Sequence, residues 1–122
     1  MIGYTTLGTN DLPRAAAFYD ALFGAMGIQR IMEFERGYAW GSAPDKPGFG
    51  LLKPFDGRPA TPGNGTMIAL VVGSREQVDA LYRKAIELGG TDEGAPGARG
   101  EGFYAAYFRD LDGNKLNFFC MG

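Results

Sequence analysis

The 122-residue chain contains no histidine and a single cysteine, Cys120. Imidazole is the commonest transition-metal ligand and the usual acid/base side chain near neutral pH, so the default route to either chemistry is closed. A zinc site built on two or more cysteines of one chain is excluded, as is an intrachain disulfide. Cys120 has no imidazole to activate it as a nucleophile. The groups left are carboxylates, phenols, ammonium groups and amides. Glu33, Glu35 and Glu101 could form an oxygen-ligand site if the fold gathered them, but in sequence they read as solvated surface charge. Asp110, Asp112 and Asn114 alternate as in a calcium loop. The remaining spacing of an EF-hand is missing, so a hairpin turn is expected there. Gly63-Asn64-Gly65 is not followed by Gly-Lys-Ser/Thr and is no phosphate-binding loop.

Twelve Lys and Arg against 14 Asp and Glu give a formal net charge of −2. The basic residues are scattered, and nothing resembles the clustered cations that nucleic acid requires. No apolar run approaches the roughly 20 residues of a membrane span. The first residues, MIGYTTLGTNDLPRAAAFY, have no basic head and apolar core of a leader. A cytoplasmic protein with neither nucleic acid nor membrane as partner is expected. With 45% hydrophobic residues, a chain of this length can bury a core without staples.

The elements that must position any site follow from periodicity and punctuation. Residues 2–8 read as a strand. Asn10 reads as the N-cap of a helix whose apolar stripe is Leu12, Ala15, Ala16, Tyr19, Leu22 and Phe23, with Gly24 and Gly27 as the stop. Strands are expected at 28–35, 38–41 and 48–55. Residues 56–66, DGRPATPGNGT, have no apolar period and read as a linker. A strand at 66–72 and a helix follow. Ser74 and Gln77 form the helix's capping box, Val78, Leu81, Tyr82, Ala85, Ile86 and Leu88 its apolar face, and Gly89-Gly90 its end. A short strand near 91–93, a loop at 94–102, and a hairpin of 103–109 and 114–120 around Asp112-Gly113 complete the chain.

The second half therefore repeats the element order of the first. A shift of about 63 residues lays Leu7 on Leu70, Ala17 on Ala80, Tyr19 on Tyr82, Gly27 on Gly90 and Tyr4 on Met67; one residue of slack lays Leu52-Lys53 on Leu116-Asn117. The opening MIGYTTLGTNDLPRAAAFYDALF and the closing FRDLDGNKLNFF resemble the first strand and helix and the last hairpin of the vicinal oxygen chelate superfamily. That group includes glyoxalase I, bleomycin- and fosfomycin-resistance proteins and extradiol dioxygenases. Its closing motif is Asp-Pro-Asp-Gly-Asn, an apolar residue and glutamate. Asp110, Asp112, Gly113, Asn114 and Leu116 match it, and Leu111 stands for the proline. The resemblance implies an α+β fold: one domain, 1–122, of two βαβββ modules (about 1–56 and 66–122, linker 57–65). The modules form a curved, partly open sheet around a cavity, with helices on the outer face.

The resemblance also implies where relatives hold a divalent metal. The four slots map to Tyr4, Lys53 (within one residue), Met67 and Asn117. None is a good ligand: tyrosine needs deprotonation from a pKa near 10, methionine prefers soft ions, lysine repels, and a lone amide carbonyl is weak. No metal and no cofactor are expected. With Tyr4 and Asn117 turned inward, strand alternation also turns in Thr6, Met67, Ala69, Val71, Lys115 and Phe119, and on the fourth strand Phe49, Leu51 and Lys53. Thr5, Leu7, Ile68, Leu70, Val72, Leu116 and Phe118 are left to pack under the helices. The expected site is a metal-independent pocket of Tyr4, Thr6, Trp40, Lys53, Met67, Asn117 and Phe119, taking a flat or partly apolar small molecule in a homodimer. The alternative is a lyase or dioxygenase-type enzyme with an atypical metal site or metal-free acid/base chemistry.

Overall fold

The computed structural model describes all of residues 1–122. In chain order the elements are β1 (Tyr4–Gly8), α1 (Leu12–Gly24), β2 (Gln29–Phe34), β3 (Gly37–Gly41), β4 (Gly48–Leu52), β5 (Ile68–Val71), α2 (Arg75–Glu87), β6 (Thr91–Ala98), β7 (Phe103–Arg109) and β8 (Lys115–Met121). The chain folds as two compact units, Met1–Pro62 and Gly63–Gly122. Each is a βαβββ module with an open, mixed four-stranded sheet, ordered β1-β4-β3-β2 in the first and β5-β8-β7-β6 in the second. The two orders are the same, and β1–β4 and β5–β8 are the parallel pairs.

In the first unit Asp11, not Asn10, caps α1. Its carboxylate accepts the Arg14 N–H at 3.2 Å. Pro13 is tolerated because the first-turn N–H groups have no helical partners. Asn10 does something else: its Nδ2 donates to the Ala60 carbonyl at 3.1 Å and its Oδ1 accepts the Ala60 N–H at 2.6 Å. This pair of hydrogen bonds fixes the segment after β4 to the start of the helix, and residues up to Pro62 belong to the first unit. The buried stripe of α1 includes Tyr19, Leu22 and Phe23. Beneath it lie Phe49 and Trp40, with ring centroids 4.9 Å (Tyr19–Phe49), 5.0 Å (Phe23–Phe49) and 5.9 Å (Tyr19–Trp40) apart. Each such burial contributes roughly 1.5–3 kcal/mol, and aromatic pairing adds to it.

In the second unit Ser74 caps α2 by accepting the Gln77 N–H at 3.1 Å. The Gln77 side chain reaches back to the Gly73 N–H at 2.7 Å, one residue earlier than a standard capping box would place it. Val78, Leu81 and Ala85 of α2 are buried, as is the stacked pair Phe108–Phe118 on the sheet. The expected short strand at 91–93 is in fact eight residues long, running to Ala98 through two register shifts against β7. Between β7 and β8 the Asp110 carboxylate accepts the N–H groups of Asp112 and Asn114, each at 2.9 Å, and the Asn114 Nδ2 at 3.0 Å. The turn's own donors thus occupy this carboxylate, as the hairpin reading of the motif requires.

Candidate functional site

The first sheet has two unlike faces, fixed by its pairing. Thr5 and Leu7 of β1 lie beside Phe49 and Leu51 of β4, which in turn lie beside Trp40 and Tyr38 of β3. This face meets α1. On the other face Tyr4 lies beside Gly48, Thr6 beside Gly50, and Ala39 beside Gly50 from the opposite side. The pairing of β2 with β3 jumps from Arg30 to Met32. Such a bulge re-aims side chains, and Ile31 and Met32 both reach this open face.

The outcome is a trough of about 500 Å³. Gly48, Gly50 and Ala39 supply a floor nearly free of side chains. Tyr4, Ile31, Met32, Phe34 and Leu52 stand around it, and Arg36 and Lys46 bring the charge. Tyr4 is 76% exposed, and Ile31, Met32 and Phe34 are exposed as well. A Cβ added to Gly48 would meet Tyr4 Cβ at 3.6 Å and the Trp40 carbonyl at 3.7 Å, both ordinary contacts. A Cβ on Gly50 would crowd the Thr5 carbonyl and Thr6 Cγ2 at 3.2 Å.

Several expected positions change. Phe49 and Leu51 are buried on the helix face, not turned toward the trough. Trp40, expected in the pocket wall, is 1% exposed and belongs to the aromatic core under α1. Its Nε1 donates to Asp20 at 3.0 Å. Lys53 follows the end of β4 and lines neighbouring hollows beside Arg36 and Phe55 instead of the trough. The cause is the parity of β4: two of its three outward positions, Gly48 and Gly50, carry only hydrogens, so Phe49 and Leu51 dominate its apolar pattern although they are the buried phase. Tyr4 and Thr6 do line the trough.

In the second unit Ala69 pairs with Asn117, Val71 with Phe119, and Asn117 in turn with Tyr107. This is the face away from α2. Asn117 is 1% exposed, and no protein donor reaches its Oδ1. Phe119 stacks on Phe103 at 5.4 Å, Met67 is exposed, and the Lys115 ammonium sits 5.5 Å over the Tyr107 ring.

The pairing also corrects the slot on β4. Thr6 corresponds to Ala69 under the 63-residue shift, Thr6 pairs with Gly50, and Ala69 with Asn117. The counterpart of Asn117 is therefore Gly50, which has no side chain to offer, rather than Lys53. Of the four positions the fold would use for a metal, the first unit presents Tyr4 and Gly50 and the second Met67 and Asn117. The donors needed for a hard or borderline divalent ion are oxygen, imidazole or thiolate, and this set does not fit one. No group of three or more His, Cys, Asp or Glu side chains comes together elsewhere.

Several close electrostatic contacts lie away from the trough and are structural. The Asp20 carboxylate accepts Arg30 Nε at 2.9 Å and Nη2 at 2.7 Å, and the Arg30 guanidinium lies 4.0 Å over Tyr38. The bond to Asp20 raises the Arg30 pKa further. In the second unit the hydrogen bond from the Tyr82 hydroxyl to Asp92 (2.7 Å) raises the phenol's pKa and lowers that of the carboxylate. The bond from Tyr104 to Asp79, also 2.7 Å, raises the Tyr104 phenol.

Sequence reasoning missed Gly48, Gly50, Ile31, Met32 and Arg36 as trough residues. The alternation Gly-Phe-Gly-Leu at 48–51 is the signal that could have found the floor, because glycine at every second position of a strand marks a face where something comes close to the backbone.

The fold and site define a class: duplicated βαβββ proteins with an open sheet face in each module. The family model for the Glyoxalase/Bleomycin resistance protein/Dioxygenase superfamily matches residues 1–118. A crystal structure of a glyoxalase/bleomycin resistance protein from Albidiferax ferrireducens T118 is similar along the whole chain, with 38% identity, a TM-score of 0.91, and coverage of 100% of this chain and 99% of that one. A hypothetical protein from S. aureus is 28% identical with a TM-score of 0.73, covering 98% of this chain and 96% of its own. A glyoxalase/bleomycin resistance protein/dioxygenase family enzyme from Burkholderia phytofirmans PsJN, 22% identical with a TM-score of 0.80 and 98% coverage of both chains, shares the fold. Among curated proteins no sequence matches. The chain belongs to the glyoxalase/bleomycin resistance/dioxygenase superfamily.

Proposed function

We propose that this protein binds a small, flat, partly apolar molecule without a metal, in the manner of a resistance or sequestering protein more than of a metal-dependent lyase or dioxygenase. The observation that carries the proposal is the trough of the first unit, where a glycine and alanine floor lies among exposed Tyr4, Ile31, Met32 and Phe34. Its volume falls within the range usual for small-molecule sites, roughly 300–1,000 Å³. Apolar walls with a few polar groups suit burial of a ring or chain, and Tyr4 and Thr6 supply hydroxyls. On the second unit, the orphaned Asn117 Oδ1 is an acceptor awaiting a donor. Binding requires affinity only, so the poor donor set at the four slots does not impair it. We also propose a homodimer, because the open faces leave Tyr4, Met67 and Val71 exposed and a second copy would cover them.

The test is a thermal-shift screen against a panel of aromatic and aliphatic small molecules, before and after treatment with EDTA. A ligand that stabilises the native state raises its melting temperature by mass action. The expected result is at least one stabilising ligand with the same shift in both preparations, and loss of that shift in Gly48→Leu, whose side chain enters the trough. Stoichiometric bound metal, or binding that disappears on chelation and returns with a divalent ion, would overturn the proposal in favour of the enzyme reading.

A further inference from the structure

We infer that the ligand of the trough is an anion, read by the guanidinium of Arg36. The inference rests on the binding function proposed above and names the class of molecule bound. Arg36 precedes β3, and Lys46 lies in the loop that follows it, so the two cations stand at opposite ends of the trough. No acidic side chain lines the trough. The two cations are not equivalent. Arg36 is half-buried, and its backbone carbonyl accepts the Lys53 N–H at 2.8 Å while its Nη1 donates to the Lys53 carbonyl at 3.0 Å. The guanidinium also lies 5.2 Å over the Phe55 ring. Two contacts thus hold the guanidinium in place, yet no carboxylate pairs with it, and the Nε–Nη2 edge is unused.

That free edge is the one that accepts a carboxylate, sulfonate or phosphonate through two parallel bonds. Arg36 also lines the two hollows that adjoin the trough, where Lys53 joins it, and Arg58 in one of them. Asp56 reaches one hollow, and its carboxylate accepts the Arg58 N–H at 3.0 Å. Positive charge therefore concentrates at the Arg36 end. Lys46, by contrast, is exposed, and its side chain has no contact to fix it. A ligand with an apolar body and an anionic end would lay the body on Gly48 and Gly50 and turn the anion to Arg36.

The experiment compares two probes that differ by one charged group, 8-anilinonaphthalene-1-sulfonate and the neutral N-phenyl-1-naphthylamine, by fluorescence titration of the full chain. The expected result is tighter binding of the sulfonate by about tenfold or more, as a charge-assisted bidentate contact gives. Arg36→Gln should remove that preference while leaving the neutral probe within about twofold. Arg36→Lys should restore part of it, and Lys46→Ala should leave most of it. Circular dichroism of each variant checks that the fold is kept. If Gly48→Leu abolishes both probes but the sulfonate has no advantage in the wild type, the trough stands and the anion inference falls. An advantage that survives Arg36→Gln, or that disappears in Lys46→Ala, also overturns it. Should neither probe bind, or Gly48→Leu leave both unchanged, the trough reading fails and takes the inference with it.

Discussion

Asn117→Leu is expected to stabilise the protein. Asn117 is buried on the β8 strand with Oδ1 unpaired. A buried acceptor left without a donor costs about 1–3 kcal/mol relative to a satisfied or apolar group. Leucine keeps the γ-branched outline of asparagine beside Ala69 and Tyr107 and removes that penalty, although it is the larger residue and crowding offsets part of the gain. Added burial of its methyl groups contributes in the same direction, at about 25 cal/mol per Å². A net gain of about 1–2 kcal/mol corresponds to a rise of roughly 5 °C in melting temperature for a chain of this size. Calorimetry of wild type and variant measures it. A melting temperature that rises marks a buried polar group kept at a cost in stability. A drop of more than about 1 kcal/mol would show that the amide supports the native fold, and the reasoning from its orphaned oxygen would be refuted.

Other substitutions separate the structural contacts from the site. Asp20→Ala removes the acceptor of the buried Trp40 Nε1 and of the Arg30 fork; a loss of about 2 kcal/mol is expected, mostly from the stranded indole N–H, with less than about 1 kcal/mol from the exposed ion pair. Urea unfolding followed by the single tryptophan measures it, and Asp20→Asn, which keeps an acceptor, should lose less. Gly37→Ala should destabilise by about 3 kcal/mol or more or fail to fold, because the new Cβ would lie 2.0 Å from the Leu51 carbonyl oxygen; near-wild-type stability would contradict the register of β3. The Tyr82–Asp92 bond sets a pH window. The Asp92 carboxylate is held low, so its contribution is present above its ordinary value and lost as pH falls through its folded one. The Tyr82 phenol is held high, so its contribution is present below its ordinary value and lost as pH rises through its folded one. In ultraviolet titration, Asp92→Asn should move Tyr82 back toward the ordinary tyrosine range, and an unchanged titration curve would rule the contact out.

Much of the fold was legible because it depends on local punctuation. The Ser74 cap, Gly89-Gly90, Asp112-Gly113 and the apolar stripes of both helices each act within a few residues. The second sheet's faces were also legible. On β8, Leu116 and Phe118 alternate with Lys115 and Asn117, so one phase is apolar and the other is not. Strand β6 was not legible past its start. Thr91–Ala98 contains Gly94, Pro96 and Gly97 and has no strand-forming pattern. It is extended because it pairs with β7 at the sheet edge, where bulges and a proline are tolerated.

The family plan, the duplicated module and the poverty of metal donors are readable from the chain alone. Those follow from residue types and from the order of elements, and the missing histidine belongs among them. The position of the open face on the first module becomes visible only in the folded chain. Parity on β4 cannot be read when two of its five residues are glycines, and pairing with β1 and β3 settles it by placing Gly48 and Gly50 beside Tyr4 and Thr6. The same pairing sends Trp40 beneath α1, sets Gly50 where a ligand side chain would otherwise stand, and brings Arg36, between β2 and β3, to the end of the trough. Such placements depend on cross-strand contacts between residues far apart in the chain, and no local pattern encodes them.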